Sequence, residues 1–253
     1  MFVRIPGLGA TGVVHDTVGE ALSSGTWTDA LNMRFTGVEM QKMLEPEILS
    51  AFPFEVDTAV WMQFWADGLT TFLAVATGSN LWLYRNNGIE AHEWVKASRP
   101  EEYNTDGYWD SFAYGNTCIF NNGIDPPQIY NGDTGKFEDL PEWGLISSAD
   151  DILNNNPPSR KIQASCIKLI PFKGFLVAIG ITESGLYHPN KVWWSDITND
   201  AGYAGCPNWD YETPASLSGQ IVVDPEGGAI RTGVQLNEQL IIYNDASSTA
   251  MSF

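Results

Sequence analysis

The chain has 253 residues, 43% hydrophobic and 12% aromatic but only 17% charged, a mix that excludes a disordered chain and a long helical or coiled-coil protein. Thirteen Lys and Arg stand against 31 Asp and Glu, a formal net charge of −18, which disfavours ordinary attraction to phosphate backbones or anionic membranes. No apolar run approaches the roughly 20 residues of a membrane span, so no membrane insertion is expected.

In chain order, Met1 to Gly12 alternates small and apolar residues with Pro6 and several Gly. It has no signal-peptide core, which predicts synthesis in the cytosol. Gly7, Gly9 and Gly12 have a Gly-x-Gly-x-x-Gly spacing without a preceding apolar strand, so a packing arm explains them better than a dinucleotide loop. In Trp27 to Phe35, Asp29 is placed to cap a turn while Leu31, Met33 and Phe35 alternate, which predicts an arm feeding a first strand. Met40 to Leu49 is expected to form one short helix, with Pro46 near its start or breaking it.

After Pro53 a pattern begins and recurs. In its first copy Val60, Trp61, Phe64 and Trp65 lead into Asp67-Gly68, followed by apolar runs at Phe72 to Ala76 and Leu81 to Tyr84. The second copy runs from Trp109 through Gly115-Asn116 to Tyr130. The third is the stretch Arg160 to Asp196, where Phe175 to Gly180 and Val192 to Trp194 predict two buried strands joined by a polar loop. The fourth runs from Ala229 through Asn237-Glu238 to Tyr243. Turn residues Gly68, Asn116, Gly174 and Glu238 are separated by 48, 58 and 64 positions, and each interval holds about four short strands with hairpin turn residues. The sequence therefore predicts an all-β protein of β-propeller-type repeats with an extended N-terminal arm, divided into an arm and first strand over 1–52 and a repeat domain over 53–253. Four units leave open a small ring, an incomplete ring, or one completed by strands from elsewhere. A β-sandwich is the competing architecture.

With those residues laid out, the sequence resembles the tail nozzle proteins of short-tailed bacteriophages, also called tail tubular or packaged-DNA stabilisation proteins. The likeness rests on Trp27, Asp29-Ala30, Asn32, Arg34 and Gly37 after the Gly-rich arm, on the run Arg160 through Val177, and on Trp194-Ser195-Asp196 followed by Trp209 and Gly219-Gln220-Ile221. It implies a non-enzymatic structural subunit of a ring, six copies by that likeness, at the distal end of a phage tail. Its partners would be an adaptor ring, tail fibres or tip proteins, and genomic DNA passing through the lumen without specific binding. Trp27, Asp29, Asn32, Arg34, Trp194, Ser195, Asp196 and Trp209 would be structural or interface residues of a virion protein made in the host cytoplasm. Proteins of this kind continue well past the equivalent of Tyr243, whereas this sequence stops ten residues later, which implies a truncated or split version.

Other chemistry finds little purchase, and no cofactor or metal is expected. Cys118, Cys166 and Cys206 are odd in number and far apart, which predicts buried thiols instead of a disulfide framework or zinc site. His15, His92 and His188 are scattered, and Ser195-Asp196 has His188 only as a sequence neighbour, too little for a triad. The alternative function is a carbohydrate-binding or glycoside-hydrolysing propeller, because acids such as Asp106, Asp110, Glu138 and Asp139 could flank a sugar bond. Asn131 to Phe137 faintly resembles an aspartate-box turn, but a hairpin turn explains it more simply. The many Trp are expected to pack between sheets.

Overall fold

The computed structural model describes residues 33–35, 40–42, 58–86, 94–198 and 200–253. The chain divides into two compact units, Met1–Ala51 and Phe52–Phe253. In the first, β1 (Met33–Phe35) pairs antiparallel with β2 (Met40–Lys42), Met33 opposite Lys42. The helix expected from Met40 is therefore a strand over its first three residues. A short isolated helix is marginal in water, and here β1 offers the backbone of β2 a ladder instead. The remainder of that expected helix, and the N-terminal arm, lie outside the described residues.

The second unit is built almost entirely of antiparallel strands that pair with their sequence neighbours. The first sheet is β3 (Trp61–Asp67), β4 (Thr70–Ala76), β5 (Leu81–Asn86) and β6 (Trp94–Lys96). The second is β7 (Asp110–Tyr114), β8 (Thr117–Asn121), β9 (Gln128–Asn131) and β10 (Lys136–Asp139). A two-stranded pair, β11 (Leu145–Ile146) with β12 (Arg160–Lys161), brackets a short helix α1 (Ala149–Asn154). The third sheet is β13 (Ala164–Phe172), β14 (Phe175–Glu183), β15 (Leu186–Trp194) and β16 (Gly219–Val222). The fourth has three strands, β17 (Ile230–Leu236), β18 (Gln239–Asn244) and β19 (Ser248–Met251). The four sequence repeats thus correspond to four sheets, and these remain separate ladders.

In each of the four larger sheets the first two strands join through a two-residue loop, because Asp67 pairs with Thr70, Tyr114 with Thr117, Phe172 with Phe175 and Leu236 with Gln239. Lys173 and Gly174 at the third of these loops both have positive φ, 50° and 83°, the geometry whose twist matches that of the flanking strands. The loop expected between the two central strands of the third repeat is likewise a tight turn, Ser184-Gly185, with φ of 48° and 83°. β15 consequently begins at Leu186 and includes His188 and Pro189. Proline is tolerated there because the β14–β15 register shifts between Ile179↔Val192 and Ile181↔His188, so no regular ladder bond is asked of it.

Each sheet packs on the next, and three cores fill the interfaces. Between the first and second sheets lie Trp65, Phe72, Leu81, Phe120, Tyr130 and Phe137; Trp65 and Phe72 stack at 4.9 Å. Between the second and third lie Ile119, Ile129, Leu176, Ala178, Trp193 and Trp209. Between the third and fourth lie Ile170, Val177, Ile179, Val192, Leu240 and Ile242. Alternation explains the sorting: on β8, Cys118 and Phe120 face backward while Ile119 faces forward. On β14, Leu176 and Ala178 face one core and Val177 and Ile179 the other, yet Ile181 sits with Leu176. The face switches at Gly180, whose φ is +60° and whose place beside Ile167 leaves no room for a Cβ, which would lie 2.7 Å from an Ile167 methylene.

Candidate functional site

Trp194, Ser195, Asp196 and Trp209 form a brace that ties the 195–218 segment to the third sheet. Ser195 is fully buried. Its hydroxyl accepts from Leu176 N at 2.9 Å and donates to Asp196 O at 2.7 Å. Asp196 accepts from Ile197 N at 2.7 Å and from the Ser216 hydroxyl at 3.3 Å. Trp194 donates its indole N–H to Leu217 O at 2.9 Å, and its ring covers Gly219, where a Cβ would overlap it. Trp209, fully buried, meets Trp143 edge to face at 4.6 Å and Trp193 at 5.5 Å. Trp193 donates to Trp209 O at 3.2 Å, whereas the Trp209 N–H has no hydrogen-bond partner among the described residues. His188 lies seven residues up β15 from Ser195, roughly 23 Å away at strand rise. A buried hydroxyl with both bonds given to backbone has neither the exposure nor the base that a nucleophile needs.

Trp27, Asp29 and Asn32 lie outside the described residues, and Arg34 is the central residue of β1, opposite Gln41. Of the acids singled out above, Asp110 pairs with Lys168 at 2.9 Å, and Asp139 with Arg99 at 3.4 Å and the Gln128 amide at 2.7 Å. Asp106 is an exposed loop residue. Glu138 accepts from Tyr203 Oη at 2.6 Å, Thr134 Oγ1 at 2.7 Å and Asn131 Nδ2 at 3.1 Å. The Tyr203 bond holds its carboxyl below the usual range and pushes the Tyr203 phenol up to about 12. The Asn131–Phe137 segment is the β9–β10 hairpin, closed by Gly135 N donating to Asn131 O at 2.9 Å. Cys118 and Cys166 are buried thiols and Cys206 is half-buried, all free. Among the described residues no cluster of His, Cys, Asp and Glu is placed to hold a metal ion.

A cleft of about 640 Å³ lies apart from the brace, at one end of the first and second sheets. Asp67 reaches it from the end of β3, Phe72 from β4, Arg85 from β5, Thr117 from β8 and Tyr130 from β9; the turns contribute Asn116 and Gly132-Asp133. The far wall is the loop Asp200 to Gly205. Tyr203 anchors that wall through Glu138, and Thr198 Oγ1 donates to Gly205 O at 3.0 Å. Gly115, at φ +60°, lets the wall approach: a Cβ there would overlap the carbonyl of Ala201. Asp67, Asp133 and Asp200 make no ion pair among the described residues, and nothing there donates to their carboxylates.

Sequence reasoning placed the aromatics in the sheets but did not gather this cleft. Its far wall comes from a segment more than 60 residues beyond β9–β10, and only the spacing of Gly202, Tyr203 and Gly205 hints at a tightly turned loop. No protein-family model matches the chain, and no curated protein sequence matches it.

Proposed function

We propose that the chain is a structural subunit of the tail nozzle ring of a short-tailed phage, with its four sheets as propeller-type blades. The observation that carries the reading is the serial packing of consecutive antiparallel meanders, each on the next through its own core. Meanders of four sequential strands are the unit from which propeller blades are made. Both ends of the series keep apolar side chains in the open: Met62 and Phe64 on the outer face of the first sheet, Val234, Leu236 and Tyr243 on that of the fourth. Faces of that kind are normally covered by a neighbouring blade or subunit. The charge of −18 suits a wall past which DNA slides without adhering. The resemblance at Trp194-Ser195-Asp196 and Trp209 adds the placement in a phage tail, and the buried brace those residues make is a structural role.

Mass photometry and negative-stain imaging of the purified chain test the reading. Annular particles of several copies with a central hole are the expected result; monomers at micromolar concentration without any hole would overturn it. In particles, replacing exposed lumen acids by Lys should slow genome release at low salt, where cation–phosphate attraction is strongest.

A further inference from the structure

We propose that the outer face of the fourth sheet in one copy docks on the outer face of the first sheet in a second copy. The inference rests on the multi-copy assembly proposed above, though not on its belonging to a phage, and names the two surfaces that meet.

Register carries it. In each of the four larger sheets the second strand begins just after the two-residue loop, at Thr70, Thr117, Phe175 and Gln239. Two residues on, Phe72, Ile119 and Val177 each enter the core shared with the following sheet, and Ile241 holds that place in the fourth. One residue further, Phe120, Ala178 and Ile242 enter the core shared with the preceding sheet, and Leu73 holds that place in the first. The first strands keep the same phase. Trp65, Phe112 and Ile170, each two residues before its strand ends, point forward into those cores, and Val234 is their counterpart in the fourth sheet. Ser111, Leu169 and Gly233, one residue earlier, point backward: Ser111 Oγ donates to Gln63 Oε1 at 3.0 Å, Leu169 joins the core with the second sheet, and a Cβ on Gly233 would overlap Ile170. Phe64 is their counterpart in the first sheet.

Both end faces stay open in the single chain. Val234, Leu236 and Tyr243 are 50%, 59% and 42% exposed, and Met62 and Phe64 61% and 57%. A chain that closed its fourth sheet on its own first would bury them. The first sheet of a second copy offers the backward apolar face that each interior forward face already meets. Two fourth sheets would instead join forward to forward, a pairing the three interior contacts never use. The contact is therefore heterologous and runs head to tail from copy to copy. Copies of net charge −18 repel one another, and the side chains named on the two end faces are uncharged, so apolar burial is what draws them together.

Sedimentation velocity of the full chain at micromolar concentration tests the proposal, with Val234→Lys/Tyr243→Lys and Met62→Lys/Phe64→Lys as the two variants. The parent should associate, and each variant alone should do so about tenfold or more weakly. An equimolar mixture of the two should form dimers, because it keeps one intact fourth-sheet face and one intact first-sheet face. Thr in place of Lys at the same positions answers the same question if either Lys pair lowers the melting temperature. A monomeric parent, or a mixture no more associated than its separate components, would overturn the proposal. So would undiminished association of Met62→Lys/Phe64→Lys alone, which would show fourth sheet meeting fourth sheet. A parent that forms open chains without a central hole would support the head-to-tail contact while removing the ring.

Discussion

The second and third sheets lie inside the series and the fourth at its end, and their strands answer to different surroundings. β8 is buried at every position, and β14 over its first seven; each has a core on both sides. β18 alternates instead, with Leu240, Ile242 and Asn244 buried between more exposed neighbours, and β17 buries only Ile230 and Gly233. A strand in the middle of a series is apolar on both faces and reads as a continuous run; one at the end needs only one apolar face. The contrast between Phe175-Leu176-Val177-Ala178-Ile179 and the mixed β17 therefore encodes position in the series. It also predicts that the same chemical change will cost very different amounts in the two places.

The largest cost is expected at the middle of the series. Trp209→Ala removes a fully buried ring from the Trp143–Trp193–Trp209 contact, and should destabilise by about 3–5 kcal/mol, read as a lower urea midpoint with the slope unchanged. Trp209→Phe sharpens the point. Because the Trp209 N–H has no partner, Phe removes an unsatisfied donor and should recover most of the loss. Trp193→Phe strips the donor that serves Trp209 O, and should cost more than Trp209→Phe, since a buried carbonyl is left without its bond.

Next comes the point where β14 changes faces. Gly180→Ala puts a side chain at φ +60° and a Cβ 2.7 Å from Ile167, and should cost about 1–3 kcal/mol. Ile167→Ala in the same chain should relieve the clash but not the backbone strain, so a double-mutant cycle should show coupling with a residual loss. Additive effects would mean that the face switch does not depend on that contact.

How much of this was legible beforehand follows from range. The four units, their hairpin turns at Gly68, Asn116, Gly174 and Glu238, and the burial of most Trp are local or periodic signals, and the sequence carries them openly. The face switch at Gly180 was not legible, because one glycine inside an apolar run is also what a plain strand contains. His188 and Pro189 lie inside a strand although proline usually ends one; only the register of β14 against β15 shows why this one does not. The brace from Ser195 to Ser218 and the cleft wall at Asp200–Gly205 have no period. They are fixed by contacts such as Tyr203 with Glu138, 65 positions apart, which no local pattern announces.

The brace supplies a test that turns on pH. Asp210 is fully buried, and burial by itself would raise its pKa. Bonds from Ser147 N at 3.1 Å, Ser147 Oγ at 2.5 Å, Glu212 N at 3.1 Å and Thr213 Oγ1 outweigh that and hold it below the ordinary carboxylate range. A depressed folded pKa contributes stability above the unfolded value of about 3.9, and that contribution is lost as pH falls through the folded pKa. Asp210→Asn should therefore cost about 1–2 kcal/mol at neutral pH. The gap between variant and parent should close in acid below about pH 4. A gap that stays constant down to pH 2 would show that the carboxylate charge is not what holds the segment.

The smallest effect belongs to the open end of the series. Val234 and Tyr243 stand 50% and 42% exposed on the outer face of the fourth sheet, Val234 paired with Ile241 and Tyr243 with Thr232 across the ladder. Replacing both by Thr leaves a strand-favouring β-branched side chain at each partly exposed position, so the isolated chain should change by no more than about 0.5 kcal/mol. Ile242→Ala, one residue from Tyr243 but facing inward at 0% exposure, should cost about 2–5 kcal/mol. If the outer face is covered by a neighbouring copy, the double Thr variant will leave the melting of dilute monomer untouched and still reduce the multimer fraction at fixed concentration. An unchanged multimer fraction would separate that face from assembly, and the reason for its apolar character would have to be sought in the chain itself.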